Sequence, residues 1–236
     1  MLSSTWTPPA VSSEARPWVG RAWRMVEAQH VASTMKIVDD ADEQMLLEAL
    51  LDASKPPLAN ATAGLDYLLA SPFRYPPRHG GSRFRDANAP GVFYGAQHVR
   101  TACAELGYWR WKFLHDAVDL ARIEPVAHTA FSVDVAAPAV DLRAPPFDRD
   151  AAVWTHPGNY APCQAFAAVA REAEVGGIVY QSVRDPRKAW CIAVLTPTAF
   201  AKRKPNAEKQ TWWLAVAQDK VVWRRNEQSF VFAQGA

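Results

Sequence analysis

Apolar residues recur at helical spacing most persistently between Gln97 and Val118. Val99, Ala102, Leu106, Trp109, Phe113 and Ala117 fall on one stripe at about 100° per residue, which predicts the longest helix of the chain, with Glu105 at the edge of the stripe. Upstream, WVGRAWRMV at Trp18 to Val26 alternates well enough for a first strand, interrupted by Arg21 and Arg24. The run DDADEQMLLEALLD from Asp39 to Asp52 opens with acids that suit a helix N-terminus and continues with Met45, Leu46, Ala49 and Leu50 at helical spacing. Pro56 and Pro57 terminate it. A short helical turn is predicted over Gly64 to Ala70. The following SPFRYPPRHGGS reads as loop, because Pro72, Pro76, Pro77 and the Gly80–Gly81 pair interrupt any regular element. This segment is the best candidate for a hinge or ligand-facing loop.

Further strands are predicted at Val92 to Ala96 and His128 to Val135. A helix follows from Tyr160 to Glu174 with Cys163, Phe166, Ala167 and Ala170 facing inward, closed by Gly176–Gly177. IVYQSV then leads into a strand at Trp190 to Leu195, and the tail TWWLAVAQDKVVWRR forms two β-rich runs around Gln218–Asp219, a hairpin by composition. Without an internal repeat or regular βαβα alternation, an α+β domain is favoured over a doubly wound one. Residues 1–16, rich in Ser, Thr, Pro and Ala, read as a loose N-terminal arm, leaving 17–236 as a single domain.

Composition narrows the class. At 236 residues, 49% hydrophobic and 21% charged, the chain is globular, and its ten Trp and ten Phe supply a core that needs no staples. Cys103, Cys163 and Cys191 form no CxxC pair, so no disulfide framework or zinc knuckle is indicated and a reducing cytoplasm is the expected home. The start of the chain has no secretory pattern, and no apolar run approaches the roughly 18 residues a membrane span needs, so secretion and membrane insertion are not expected. There is no P-loop, GxGxxG, HExxH or GxSxG motif, and the six histidines are not spaced as ligands, so a metal is not expected either.

The formal charge of +2 conceals a local imbalance. Between Arg74 and Lys112, Arg74, Arg78, Arg83, Arg85, Arg100, Arg110 and Lys112 face only Asp86 and Glu105, a net of +5. Guanidinium forks beside a glycine-rich loop suit a phosphate-bearing ligand, and a solvated basic face is the plain alternative. Downstream of GSRFR at 81–85 stand Tyr94 and Glu105. Cleaving the nicotinamide–ribose bond of NAD requires a hold on the pyrophosphate, an apolar or aromatic face for the nicotinamide, and an anion beside the cationic ribose. Arginine, tyrosine and glutamate are suitable residue types for those roles. Taken alone, Glu105 reads as a solvated carboxylate or a partner of Arg100 or Arg110, Tyr94 as a core aromatic, and Trp109 and Trp111 as core and rim.

In their order along the chain these segments resemble the RES-domain family of toxins, named after an Arg, a Glu and a Ser. The matching residues are Trp23–Arg24, Gly81-Ser82-Arg83-Phe84, Val92-Phe93-Tyr94, Ala102 to Glu105, and Gly177 to Arg184 with Ser182. Tyr160 and Gln164 also fit, and the resemblance spans about residues 18 to 200. The chain departs from the family at Phe84 (usually Trp), Arg85 (often Asn), Met25 (Tyr in some members) and Gln181 (commonly Pro), and its 27–77 stretch is longer than in short members.

The resemblance implies an α+β, ADP-ribosyltransferase-like fold with mainly antiparallel small sheets and flanking helices. It implies a cytoplasmic bacterial toxin of a type II toxin–antitoxin pair that consumes NAD+, as glycohydrolase, phosphorylase or ADP-ribosyltransferase, and a helical Xre-type antitoxin that blocks its pocket. Carried over, Arg24 and Arg83 bind the NAD+ phosphates, Tyr94 stacks near the nicotinamide, Glu105 stabilises the ribose cation, and Ser182, Tyr160 and Gln164 belong to the NAD+ pocket. Water, phosphate or a cellular protein receives the ADP-ribose, with no membrane or nucleic-acid contact. The competing readings are a non-catalytic phosphate- or nucleic-acid-binding module built on the 74–85 loop with KRKPNAEK at 202–209, and a metal-free hydrolase of another nucleotide.

Overall fold

In the computed structural model, which describes residues 6–28, 40–54, 56–57, 60–75 and 81–234, the organising element is a nineteen-residue strand, Ile123–Asp141 (β3). Its apolar residues serve two neighbours at once. One edge carries Arg16–Glu27 (β1), antiparallel from Arg16 opposite Ala139 to Glu27 opposite His128. The other edge takes Lys209–Val216 (β6) along its first half and, parallel, Gly177–Gln181 (β4) at its end. Trp190–Val194 (β5) joins β4 to Phe93–Ala96 (β2), and β2 returns to β1 through one pairing, Trp23 opposite Ala96. Five strands thus form a ring, and Lys220–Arg225 (β7) and Gln228–Ala233 (β8) extend the sheet beyond β6. The fold is mixed α+β and mainly antiparallel, as expected, and the eight strands among the described residues join in one sheet.

Two apolar layers flank this sheet. Inside the ring, Phe93, Phe131, Ile192 and Phe200 pack together, with Phe93 edge-on to Phe200 at 5.0 Å. Full burial of side chains of this size contributes roughly 1.5–3 kcal/mol each. On the other face lie Val99–Asp116 (α4) and Ala161–Glu172 (α6). Helix α6 buries Cys163, Phe166, Ala167 and Ala170, the four residues its periodicity marks as inward.

Several expectations are corrected. Residues 6–14 are not a loose arm: Pro8–Glu14 forms a helix (α1), Val11 is fully buried, and Trp6 packs on Phe147 at 4.5 Å. After Ala41–Ala53 (α2), the helix Tyr67–Arg74 (α3) runs through Pro72, so the predicted loop begins later. Proline forfeits one backbone hydrogen bond near the end of a short helix, while burial of Leu69 and Ala70 holds the element in place. Pro76, Pro77 and Gly80 lie outside the described residues. Helix α4 turns inward a face that only partly overlaps its predicted stripe: Ala102 is buried and Val99 and Leu106 pack against the core, while the stripe's larger residues further on do not. It buries Thr101, Ala102, Cys103, Ala104, Gly107 and Leu114, and leaves Trp109 and Phe113 42% and 55% exposed. Small residues decide that face, because they let the helix approach the sheet closely: a Cβ on Gly107 would lie 2.8 Å from Val221 Cγ1. Strand β8 was not anticipated. It follows β7 across a tight turn at Asn226 (φ 51°), a residue that tolerates the left-handed region. The short helix Ala151–Trp154 (α5) completes the elements around the site.

Candidate active site

Strands β1 and β2, helix α4, the turn at 82–85 and the start of α6 enclose a cavity of about 260 Å³. Glu105 reaches it from α4, in a position set by the turn after β4. Ser182 Oγ donates to Glu105 Oε1 at 2.6 Å and accepts from the backbone N–H groups of Arg184 (3.3 Å) and Asp185 (3.0 Å). A hydroxyl has one proton to give, and with its oxygen occupied by two N–H donors, that proton is committed to the carboxylate. Glu105 is not the partner of Arg100 or Arg110, which pair instead with Asp185 and Glu27.

The turn that carries Arg83 is closed by reciprocal backbone bonds between Ser82 and Arg85. It needs glycine beside it: Gly81 has φ 96°, and a Cβ there would lie 2.1 Å from the Arg85 carbonyl oxygen. Tyr94 props the turn from β2, its hydroxyl accepting the Phe84 N–H at 3.0 Å and bonding Ser82 Oγ at 2.7 Å. Burial raises the Tyr94 phenol above its ordinary pKa. Gln164 supports the same turn from α6, donating to the Ser82 and Arg85 carbonyls at 3.0 and 3.3 Å.

Two guanidinium groups face the cavity without a carboxylate partner among the described residues. Arg83 is 8% exposed; it donates to the carbonyls of Trp154 and His156, both at 2.9 Å, and lies over the Tyr160 ring at 4.6 Å. Arg24 sits where β1 and β2 diverge. It donates to the Tyr94 carbonyl at 3.0 Å and lies over the Phe93 ring at 4.7 Å, and its Nε is buried without a partner. Burial lowers the Arg24 pKa to about 10. A cation desolvated this far without a counter-ion is placed to gain from a bound anion.

The structure therefore gathers Arg24, Arg83, Tyr94, Glu105 and Tyr160 on one cavity wall. Ser182 and Gln164 stand behind it, the first on Glu105 and the second on the turn. Sequence reasoning missed Trp109 as a wall residue; its large side chain was assigned to core and rim, and it meets Tyr160 edge-on at 6.2 Å. The basic excess is largely taken up internally. Arg74 and Arg85 donate to backbone carbonyls, Arg100, Arg110 and Lys112 pair with Asp185, Glu27 and Asp116, and Arg78 lies outside the described residues. In the 202–209 segment, Lys202 pairs with Asp134. No group of His, Cys, Asp and Glu among the described residues could hold a metal ion, and no described helix is long and apolar enough to cross a membrane.

A mixed α+β fold, with one mainly antiparallel sheet and helices packed on its face, is the class of protein that these elements define. The chain belongs to the RES domain family, whose model matches residues 57–217 and leaves β1 with Arg24 outside the match. Among solved structures, the M. tuberculosis MbcT–MbcA toxin–antitoxin complex is similar at 12% identity and a TM-score of 0.48, over 96% of this chain and 91% of that one. No curated protein matches the chain.

Proposed function

We propose that this protein breaks the bond between nicotinamide and ribose in NAD+, and that it does so as the toxin of a bacterial toxin–antitoxin pair acting in the cytoplasm. The observation that carries the reading is the pairing, in one cavity, of a serine-oriented carboxylate on Glu105 with two guanidinium groups that have no acidic partner among the described residues. Family membership and the motif resemblance support it.

In this reading Arg24 and Arg83 hold the pyrophosphate, and the nicotinamide riboside end enters the cavity against the Tyr94 ring, with Tyr160 beside Arg83. The C1′–N bond breaks heterolytically, its electron pair goes to the pyridinium nitrogen, and nicotinamide leaves neutral. Positive charge then develops on the ribose, where the Glu105 carboxylate stabilises it; preorganised groups of this kind are worth several kcal/mol. Ser182 keeps the carboxylate aimed without neutralising it. Water, phosphate or a protein nucleophile then bonds to C1′, gives up to solvent any proton it carried on the attacking atom, and so completes the transfer. A helical Xre-type antitoxin covering the cavity mouth would silence the enzyme.

Glu105→Gln tests the reading while keeping the side chain's shape and its acceptor for Ser182. Nicotinamide release should fall by about 10²–10³-fold, the scale seen when one transition-state contact is removed, while NAD+ still binds. Cells expressing the variant should resume growth. Undiminished release by the variant would remove the proposal.

A further inference from the structure

Glu105 and Thr101 are one helical turn apart and lie on the same face of α4. Both meet the segment that follows β4. Glu105 accepts from Ser182, and Thr101 Oγ1 donates to Asp185 Oδ2 at 2.8 Å. Asp185 is 3% exposed and Thr101 fully buried. The same carboxylate takes the Arg100 guanidinium and accepts the Arg187 N–H at 3.1 Å, and the Asp185 backbone N–H donates to Ser182 Oγ at 3.0 Å. Arg100 is itself laid over Phe232 of β8 at 4.8 Å. Burial alone would raise the Asp185 pKa, but the bonds from Thr101, the Arg187 N–H and Arg100 outweigh it and keep the group ionised. A negative charge beside the first turn of α4 also suits the helix dipole, where His98 supplies no side-chain cap.

These contacts make two rungs between α4 and the 182–185 turn, Thr101–Asp185 and Glu105–Ser182. A helix that slips by one residue turns through about 100° and moves about 1.5 Å, so neither rung survives a change of register. We infer that Asp185 is a positioning residue: by tying Arg100 and Thr101 to the Ser182 turn, it fixes the register of α4 and thereby aims the Glu105 carboxylate into the cavity. Its catalytic consequence rests on the NAD+ reading above, whereas its effect on Glu105 geometry does not.

The test compares Asp185→Asn, which keeps the shape but removes the charge, with Thr101→Val, which removes the opposite donor. Each should lower kcat for nicotinamide release by roughly 10- to 100-fold, the scale expected for a misplaced catalytic group, with a change in KM below about threefold. In a Thr101→Val background, Asp185→Asn should add less than its own loss in the wild type, because their shared rung is already cut. Losses that multiply in full overturn the inference, since an independent structural role would act apart from that rung. A second readout needs no turnover: the side-chain carboxyl carbon resonance of Glu105 in the full chain should move in Asp185→Asn and in Thr101→Val. An unmoved resonance overturns the inference whether or not the protein consumes NAD+. A protein inert toward NAD+ with a moved resonance retains the positioning role and refutes only the proposed substrate. If Asp185→Asn does not fold, Thr101→Val decides by the same two readouts.

Discussion

Replacing Arg24 with Met should stabilise the free protein and weaken its hold on NAD+. A guanidinium whose pKa burial has lowered to about 10 stays charged at neutral pH, at a cost of about 3 kcal/mol relative to the solvated chain. Methionine keeps an unbranched stem over the Phe93 ring and removes the charge. What is lost is the charge-assisted bond to the Tyr94 carbonyl and the contact of the cation with the Phe93 ring, together about 2 kcal/mol. The net gain of about 1 kcal/mol corresponds to a rise in Tm of roughly 2–4 °C for a chain of this size. Loss of a charge-assisted bond to phosphate should meanwhile weaken NAD+ binding by about 10- to 100-fold. Differential scanning fluorimetry without ligand reads the first effect. Calorimetric titration of NAD+ in the Glu105→Gln background reads the second, free of turnover. A Tm lowered by a similar amount would mean that the cation braces the β1–β2 junction, and unchanged affinity would refute a phosphate-binding role.

Other consequences follow from burial and packing. His128 is 1% exposed, bonds the Val126 carbonyl through Nδ1 at 3.0 Å and leaves Nε2 without a partner, and burial lowers its pKa. The unfolded chain therefore binds this proton at a higher pH than the folded one, so the histidine's share of stability is present above the ordinary imidazole range and is lost as pH falls toward the lower folded value. Urea denaturation at about pH 7.5 and about pH 5.5 should show a smaller drop for His128→Phe than for the wild type. Gly107→Ala places a Cβ 2.8 Å from Val221 Cγ1 and 3.1 Å from Trp223 Nε1. It should destabilise by about 1–3 kcal/mol despite a helix-propensity gain of up to about 1 kcal/mol, as a lowered denaturation midpoint would show.

Much of the scaffold was legible because local pattern and tertiary demand agree. The inward quartet of α6, the alternation in β1 and the β6–β7 hairpin all declare themselves within a few residues. The inward face of α4 declares itself only in part, because periodicity gives weight to large apolar side chains while close packing selected Cys103, Ala104 and Gly107 as well. The N-terminal helix was hidden for a related reason: its composition is that of a loop, and Trp6 finds its partners Phe147 and Asp150 across most of the chain. In the site, residue types and motif order identified the cavity wall, yet Ser182 and Gln164 work from behind it. Asp185 carried no signal at all, since it meets Thr101 across 84 positions and only folding brings them together.

The central claim is tested most directly by incubating the purified protein with NAD+ labelled in the nicotinamide ring and following every labelled product. The account predicts free nicotinamide in step with NAD+ loss, with the remaining ADP-ribose found free, phosphorylated or attached to protein. Intact NAD+, or label recovered as nicotinamide mononucleotide from cleavage at the pyrophosphate, would contradict it.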